Sequence, residues 1–170
     1  MQAIPCKLRV NSSLAWRVLW VVVLVALCHL GNWWWLRTAT TDALMRASLA
    51  LGIPMHRVAS DLIEVAGIQA RIVVSCTLID AFLGAVPLLY RTSLSLLSNL
   101  CRMTLLFVAL FSFNIFRLTI GFAALTRGLP WWLSHECISG ITYFFLFLFI
   151  VHQHAWRAAP SPERLLGRTS

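Results

Sequence analysis

The chain has 170 residues, 59% of them hydrophobic, and a formal net charge of +8; its mean hydropathy is +0.79. This balance excludes an ordinary water-soluble domain and points to the membrane class. The basic residues flank apolar runs, which reads as membrane orientation rather than nucleic-acid contact, and no nucleotide loop or zinc-knuckle spacing is present.

Residues 1–13 form a short basic segment with Lys7 and Arg9. Leu14–Leu36 has the length of one membrane-spanning helix and closes on Trp33-Trp34-Trp35, an interfacial aromatic belt. It lacks a small-residue cleavage site, so it reads as a retained span rather than a signal peptide. Residues 37–75 are richer in charge. Thr41 and Asp42 look like an N-cap, Leu44, Ala47 and Leu51 mark an apolar face, and Gly52 and Pro54 stop the helix. This predicts an interfacial amphipathic helix. From Arg57 the pattern shifts towards a period of two, with Ala66-Gly67 as the turn of a small β-hairpin.

Cys76–Tyr90 is apolar except for Asp80 and short for a span. Arg91–Arg102 reads as a polar link. Met103–Leu125 is a full span whose one charge is Arg117, with Asn114 on the same helical face. Thr126–Ser134 reads as a loop with Trp131 and Trp132 as interfacial anchors, and Cys137–Ala155 as the last span. The tail from Trp156 is polar. The expected fold is therefore a single all-α integral membrane domain over residues 1–170. It has about four transmembrane helices, an outer-face helix and hairpin over 37–75, a helical core over 76–155, and a tail over 156–170. The heavier basic side carries both termini and is assigned to the cytoplasm.

Alternation of the spans places Cys76, Arg117 and His135 in one leaflet, the outer one by the charge rule, with Asp80 one turn deeper than Cys76. A charged residue inside a span points to function, with a partner to be found. A thiol becomes nucleophilic as thiolate, which a helix N-terminus, an arginine or a protonated histidine favours. Cysteine, histidine base and a cationic oxyanion partner form a minimal set for acyl transfer.

Cys76-Thr77 after an extended stretch, Asn114-Ile-Phe-Arg117 in an apolar helix, and His135 followed by Ser139-Gly140 resemble the exosortase/archaeosortase family over roughly Leu51–Phe149. The resemblance is to a compact form. It implies a bacterial inner-membrane cysteine transpeptidase or protease that cuts the C-terminal sorting signals of exported surface proteins at the outer face. Cys76 would be the nucleophile, Arg117 the oxyanion or substrate partner, His135 the acid/base, and Asn114 the group orienting Arg117. Two positions depart from the family pattern: Leu78 stands where a glycine is common, and Val74-Ser75 where many members carry an acid.

The competing reading is a small non-catalytic assembly or transport subunit in which Asp80 and Arg117 form a structural ion pair. No cofactor, metal or nucleic-acid partner is implied. His152 and His154, two apart, do not face one another on a helix, nor do His135 and Cys137. The five cysteines, Cys6, Cys28, Cys76, Cys101 and Cys137, are odd in number and scattered, so no disulfide framework is expected.

Overall fold

A computed structural model describes residues 12–158. The basic segment with Lys7 and Arg9 and the tail beyond Ala158 lie outside the described residues, as do the side chains of His152 and His154. The fold is mainly helical with one small sheet, as the sequence implies.

The first apolar run forms α1, Ser12–Leu30. The chain then breaks at Gly31-Asn32 and re-enters α2, Trp34–Ala50, at 81° to α1. The predicted span Leu14–Leu36 is thus divided, and the tryptophans open the second helix instead of closing the first. The corner is held by the Trp33 indole, whose Nε1–H donates to the Cys28 carbonyl at 2.7 Å. The same carbonyl also accepts from the Gly31 N–H at 3.2 Å, so the end of α1 and the corner share one acceptor.

The predicted helix start at Thr41/Asp42 is also displaced, because both residues lie inside α2. The hydroxyls of Thr40 and Thr41 donate to the carbonyls of Leu36 and Arg37, four residues back, at 2.8 and 2.9 Å. Such back-bonding lets hydroxyl residues be buried mid-helix, whereas at a start they would cap free N–H groups. The buried face runs Leu36, Thr40, Leu44, Ser48, and Leu51 is exposed. Gly52, at φ +66°, follows the end of α2 as expected.

The hairpin is present and carries a third strand. β1 (His56–Ala59), β2 (Leu62–Val65) and β3 (Ile68–Arg71) form an antiparallel meander in sequence order. Val65 pairs with Ile68 across Ala66 and Gly67, which lie at φ +51° and +75°. Two consecutive left-handed residues make the two-residue turn that matches strand twist. The sheet buries Ile63, Val65, Ala70 and Ile72 against Leu44 of α2 and a patch of Leu118, Phe122 and Leu125. Arg37 fastens the sheet to α2: its Nε–H donates to the Ile72 carbonyl at 2.9 Å, and its Nη2 pairs with Asp61.

After β3 the chain makes a 3-10 turn, Val74–Thr77, and enters α3, Ile79–Leu89. Leu78 joins them at φ +55°. A left-handed leucine costs about 1–2 kcal/mol over the right-handed form. Its side chain is nevertheless 1% exposed, and emptying such a site costs about 3–5 kcal/mol. The packing loss is larger than the backbone relief, so Leu78→Gly should lower stability by about 1–4 kcal/mol in a detergent melt. A stabilised Leu78→Gly protein would mean that strain outweighs packing here. The last carbonyls of α3, at Pro87 and Leu88, accept from Arg17 Nη1 of α1 at 2.9 and 3.3 Å.

The long helix α4 runs Leu96–Thr126 and absorbs much of the link expected at Arg91–Arg102. Its start is set by Ser95, whose Oγ accepts from the Ser98 N–H at 3.2 Å. Asn99 clasps the preceding segment, donating to the Arg91 carbonyl at 2.8 Å and accepting from the Arg91 N–H at 3.1 Å. The predicted loop Thr126–Ser134 is shorter than expected. Gly128, at φ +84°, turns the chain, and a π-helical turn, Trp132–Cys137, leads without a break into α5, Ile138–Ala158. Among the described residues, α4 and Trp132–Phe149 are long and apolar enough to cross a membrane, and the bent α1–α2 pair makes a third crossing if it counts as one span. At ~1.5 Å per residue α3 is about 17 Å long, short of a ~30 Å hydrocarbon core.

Candidate active site

The 3-10 turn after β3 holds Cys76 in a buried position at the boundary of sheet, α3 and α4. Its N–H donates to the Val73 carbonyl at 3.0 Å, and Thr77 Oγ1 donates to the Val74 carbonyl at 2.6 Å, closing the turn. The left-handed Leu78 interrupts the helical phase. Asp80 therefore does not sit one helical turn from Cys76 on a shared face, and the Cys76 turn is separate from the first turn of α3.

From Cys76 a chain of hydrogen bonds crosses to α5. The Cys76 carbonyl accepts from Asn114 Nδ2 at 2.6 Å. Asn114 Oδ1 accepts from Arg117 Nη2 at 3.0 Å. Arg117 Nη1 donates to Ser139 Oγ, and that hydroxyl donates to the His135 carbonyl at 2.6 Å. Asn114 and Arg117 are 0% and 5% exposed. A buried arginine inside an apolar helix is costly unless its donors are met, and here Asn114 and Ser139 meet two of them. Arg117 Nε is buried with no hydrogen-bond partner among the described residues.

His135 lies in the π-helical turn, its ring stacked on Trp131 with centroids 4.5 Å apart and planes 9° apart. Nδ1 is 3.4 Å from Glu136 Oε1. The turn sits directly on α4. A Cβ on Gly121 would lie 2.6 Å from the Ser134 carbonyl oxygen, so only glycine admits this approach. Cys76 and His135 line one cavity of ≈ 360 Å³, walled by β3 and its continuation to Val73 and by Leu118, Phe122 and Trp131.

The structure thus brings together four of the five residues singled out in the sequence: Cys76, Asn114, Arg117 and His135. Asp80 stands apart. Its carboxylate lies 3.8 Å from His29 Nε2 and 3.5 Å from the Tyr143 hydroxyl, and one oxygen accepts from the Ala81 N–H at 2.7 Å. No ion pair joins Asp80 to Arg117 among the described residues. Sequence reading missed the parts played by Ser139, Tyr143, Gly121 and Trp131. A signal for two of them was available: His135, Ser139 and Tyr143 recur every four residues, a polar stripe down one face of an apolar helix.

No family model, curated protein or solved structure matches the chain.

Burial pushes the Cys76 thiol above its ordinary value, against the opposing pull of the Val73 backbone and the Arg117 guanidinium. A helix N-terminus and a nearby arginine favour the thiolate, whereas desolvation of the charged form acts the other way and is the larger effect. The fold favours the protonated thiol. Its contribution to stability is full below the unfolded value near pH ~8.5 and is lost as pH rises through the higher folded value. Alkylation of Cys76 by N-ethylmaleimide, followed by peptide mapping, should accelerate about tenfold per pH unit from neutrality with no plateau below pH ~8.5. A plateau near neutral pH would show an already ionised thiol instead.

Proposed function

We propose that this chain is a cysteine transpeptidase or protease of the exosortase type, with four membrane crossings of which α3 is the short one. It acts at the outer face of a bacterial inner membrane with both termini in the cytoplasm. The observation that carries the reading is that hydrogen bonds from the Cys76 carbonyl through Asn114, Arg117 and Ser139 to the His135 carbonyl hold the two residues beside a cavity that both line. These residue types suit acyl transfer better than a structural ion pair, since Asp80 has other neighbours.

In this mechanism His135 takes the Cys76 thiol proton as the sulfur attacks the scissile carbonyl. Arg117, whose Nε–H is unclaimed and lies outside the resting cavity, turns that donor to the oxyanion that forms. The C–N bond then breaks, the leaving amine receives the proton from His135, and a thioester remains on Cys76. An amine or water attacks that thioester and releases the thiol. Asn114 and Ser139 are positioning residues: they hold the guanidinium and reach the reacting groups only through it. The raised thiol fits a site in which His135 takes the proton as the sulfur attacks, rather than one armed at rest.

The test compares the carboxyl termini of exported proteins in cells carrying the wild-type chain and in cells carrying Cys76→Ala. The expected result is a set of proteins that lose a hydrophobic, basic-ended tail only with the wild-type chain. Unchanged termini in Cys76→Ala cells sink the reading.

A further inference from the structure

We propose that the free edge of β3 is the substrate-binding strand of this site, and that its occupant is an extended peptide added to the sheet edge-on. The inference rests on the acyl-transfer reading for the role of Cys76 and specifies how its substrate is held.

Strand β3 is the last of three and pairs on one side only, with β2. The pairing Val65–Ile68 across a two-residue turn, together with the Ile72 N–H bond to the Asp61 carbonyl at 2.8 Å, sets the phase of the ladder. Ile68, Ala70 and Ile72 turn their backbone groups towards β2. Gln69 and Arg71 turn theirs to the open edge, and none of these groups has a backbone partner among the described residues. Unpaired edge groups in a strand are a template for a further strand.

What distinguishes this edge from an ordinary one is where it lies. Residues Ile68 to Val73 form one wall of the cavity that holds Cys76 and His135. The strand runs straight into the turn carrying Cys76, so a peptide in register with it is delivered to the thiol. Between Gln69 and Val73 the strand rises ~13 Å, enough for four or five peptide residues. Alternate side chains of an added strand enter the apolar part of the cavity, at Leu118, Phe122 and Trp131. The others face outward beside Arg71, which is exposed and has no ion-pair partner among the described residues. The occupant that fits is a peptide alternating apolar with polar residues, an acidic one opposite Arg71.

The test uses capped hexapeptides of alternating isoleucine and glutamate that end, at either terminus, in cysteine activated as its 2-pyridyl disulfide. The Cys76 sulfur attacks the peptide sulfur, the bond to the pyridyl sulfur breaks, and pyridine-2-thione leaves with the proton. The adduct at Cys76 is followed by peptide mapping of the full chain in detergent. Two versions of each peptide carry backbone N-methyl groups on odd or on even residues. An edge-added strand offers only alternate N–H groups to β3, so one version should react about tenfold more slowly than the other, the loss of roughly two hydrogen bonds. Gln69→Pro and Arg71→Pro put a ring methylene in place of each outward N–H, which blocks an added strand at the open edge without touching the β2 ladder, and together they should abolish that difference while N-ethylmaleimide still labels Cys76. Equal reaction of the two versions with the wild-type chain, or no adduct at all, overturns the proposal without recourse to the proline variants. So does a difference that survives both prolines. Exchange needs the thiol but no acyl transfer. Unchanged exported termini in Cys76→Ala cells would therefore remove the transpeptidase reading while phase-dependent exchange left the strand edge standing.

Discussion

Replacing Arg117 by glutamine should reduce tail removal by about 10²–10³-fold, the effect of deleting one preorganised donor to an oxyanion. Three observations combine in that expectation. The guanidinium spans from Asn114 to Ser139, its Nε–H is buried and unclaimed, and its position follows from α4, whose buried face also carries Leu118 and Phe122. Arg117→Lys should fail almost as badly. A lysine keeps the charge but has no planar fork that can hold Asn114 and Ser139 while offering a third donor. Charge alone is therefore separable from geometry: if Arg117→Lys processes exported tails at the wild-type rate, Arg117 supplies field and not a directed hydrogen bond. Ser139→Ala tests positioning. It should weaken processing less than Arg117→Gln does and leave N-ethylmaleimide labelling of Cys76 intact, because Asn114 still anchors both Arg117 and the Cys76 carbonyl.

Gly121→Ala should be the most damaging change that removes no chemical group. The added methyl would lie 2.6 Å from a backbone oxygen, that of Ser134, so neither partner can swing away as a side chain would. Either α4 or the π-helical turn must move, and the turn carries His135. A displacement of about 1 Å at a catalytic group can cost about 10²-fold in rate, and overpacking of this kind costs about 1–3 kcal/mol in stability. Gly84→Ala is the matched control. Its Cβ would meet only Val25 Cγ2 at 3.4 Å and Val21 Cγ1 at 3.6 Å, ordinary contacts, so it should be neutral or gain up to about 1 kcal/mol from helix propensity. Tail processing and detergent melting of the two variants settle the matter. Equal behaviour would mean that the turn does not depend on close approach at Gly121.

Which parts of this arrangement could be read from residues alone follows from the range of the forces involved. The Ala66-Gly67 turn was legible because its requirement is local: two residues that tolerate positive φ between β-prone runs. The conjunction of Cys76, Asn114, Arg117 and His135 was legible because polar groups in apolar helices are rare and must find partners. The start of α2 was not, since Thr41-Asp42 has cap chemistry whereas the true boundary is set by a corner that only the folded chain forms, Trp33 on Cys28. The start of α4 was written locally, in Ser95 and Ser98, but lay hidden within a polar stretch that resembled a link. The π-helical turn depends on a glycine on another helix, so nothing near His135 announces it. The thiol's raised value had the same origin: proximity to a helix start suggested activation, and burial by distant segments decided otherwise.

The hydrogen-bond chain also bears on biosynthesis. Asn114 and the Cys76 carbonyl are both in place once α4 has been made, but Ser139 comes 22 residues after Arg117. During synthesis, at about 5–20 residues per second, the arginine passes a second or more in a nascent helix with Asn114 as its companion. On the proposed reading, α4 enters the membrane with one guanidinium donor met by Asn114, and the docking of Ser139 at the start of α5 meets a second. On the same reading, the site is completed only when α5 has docked, so Cys76 and His135 come to share one cavity late in assembly.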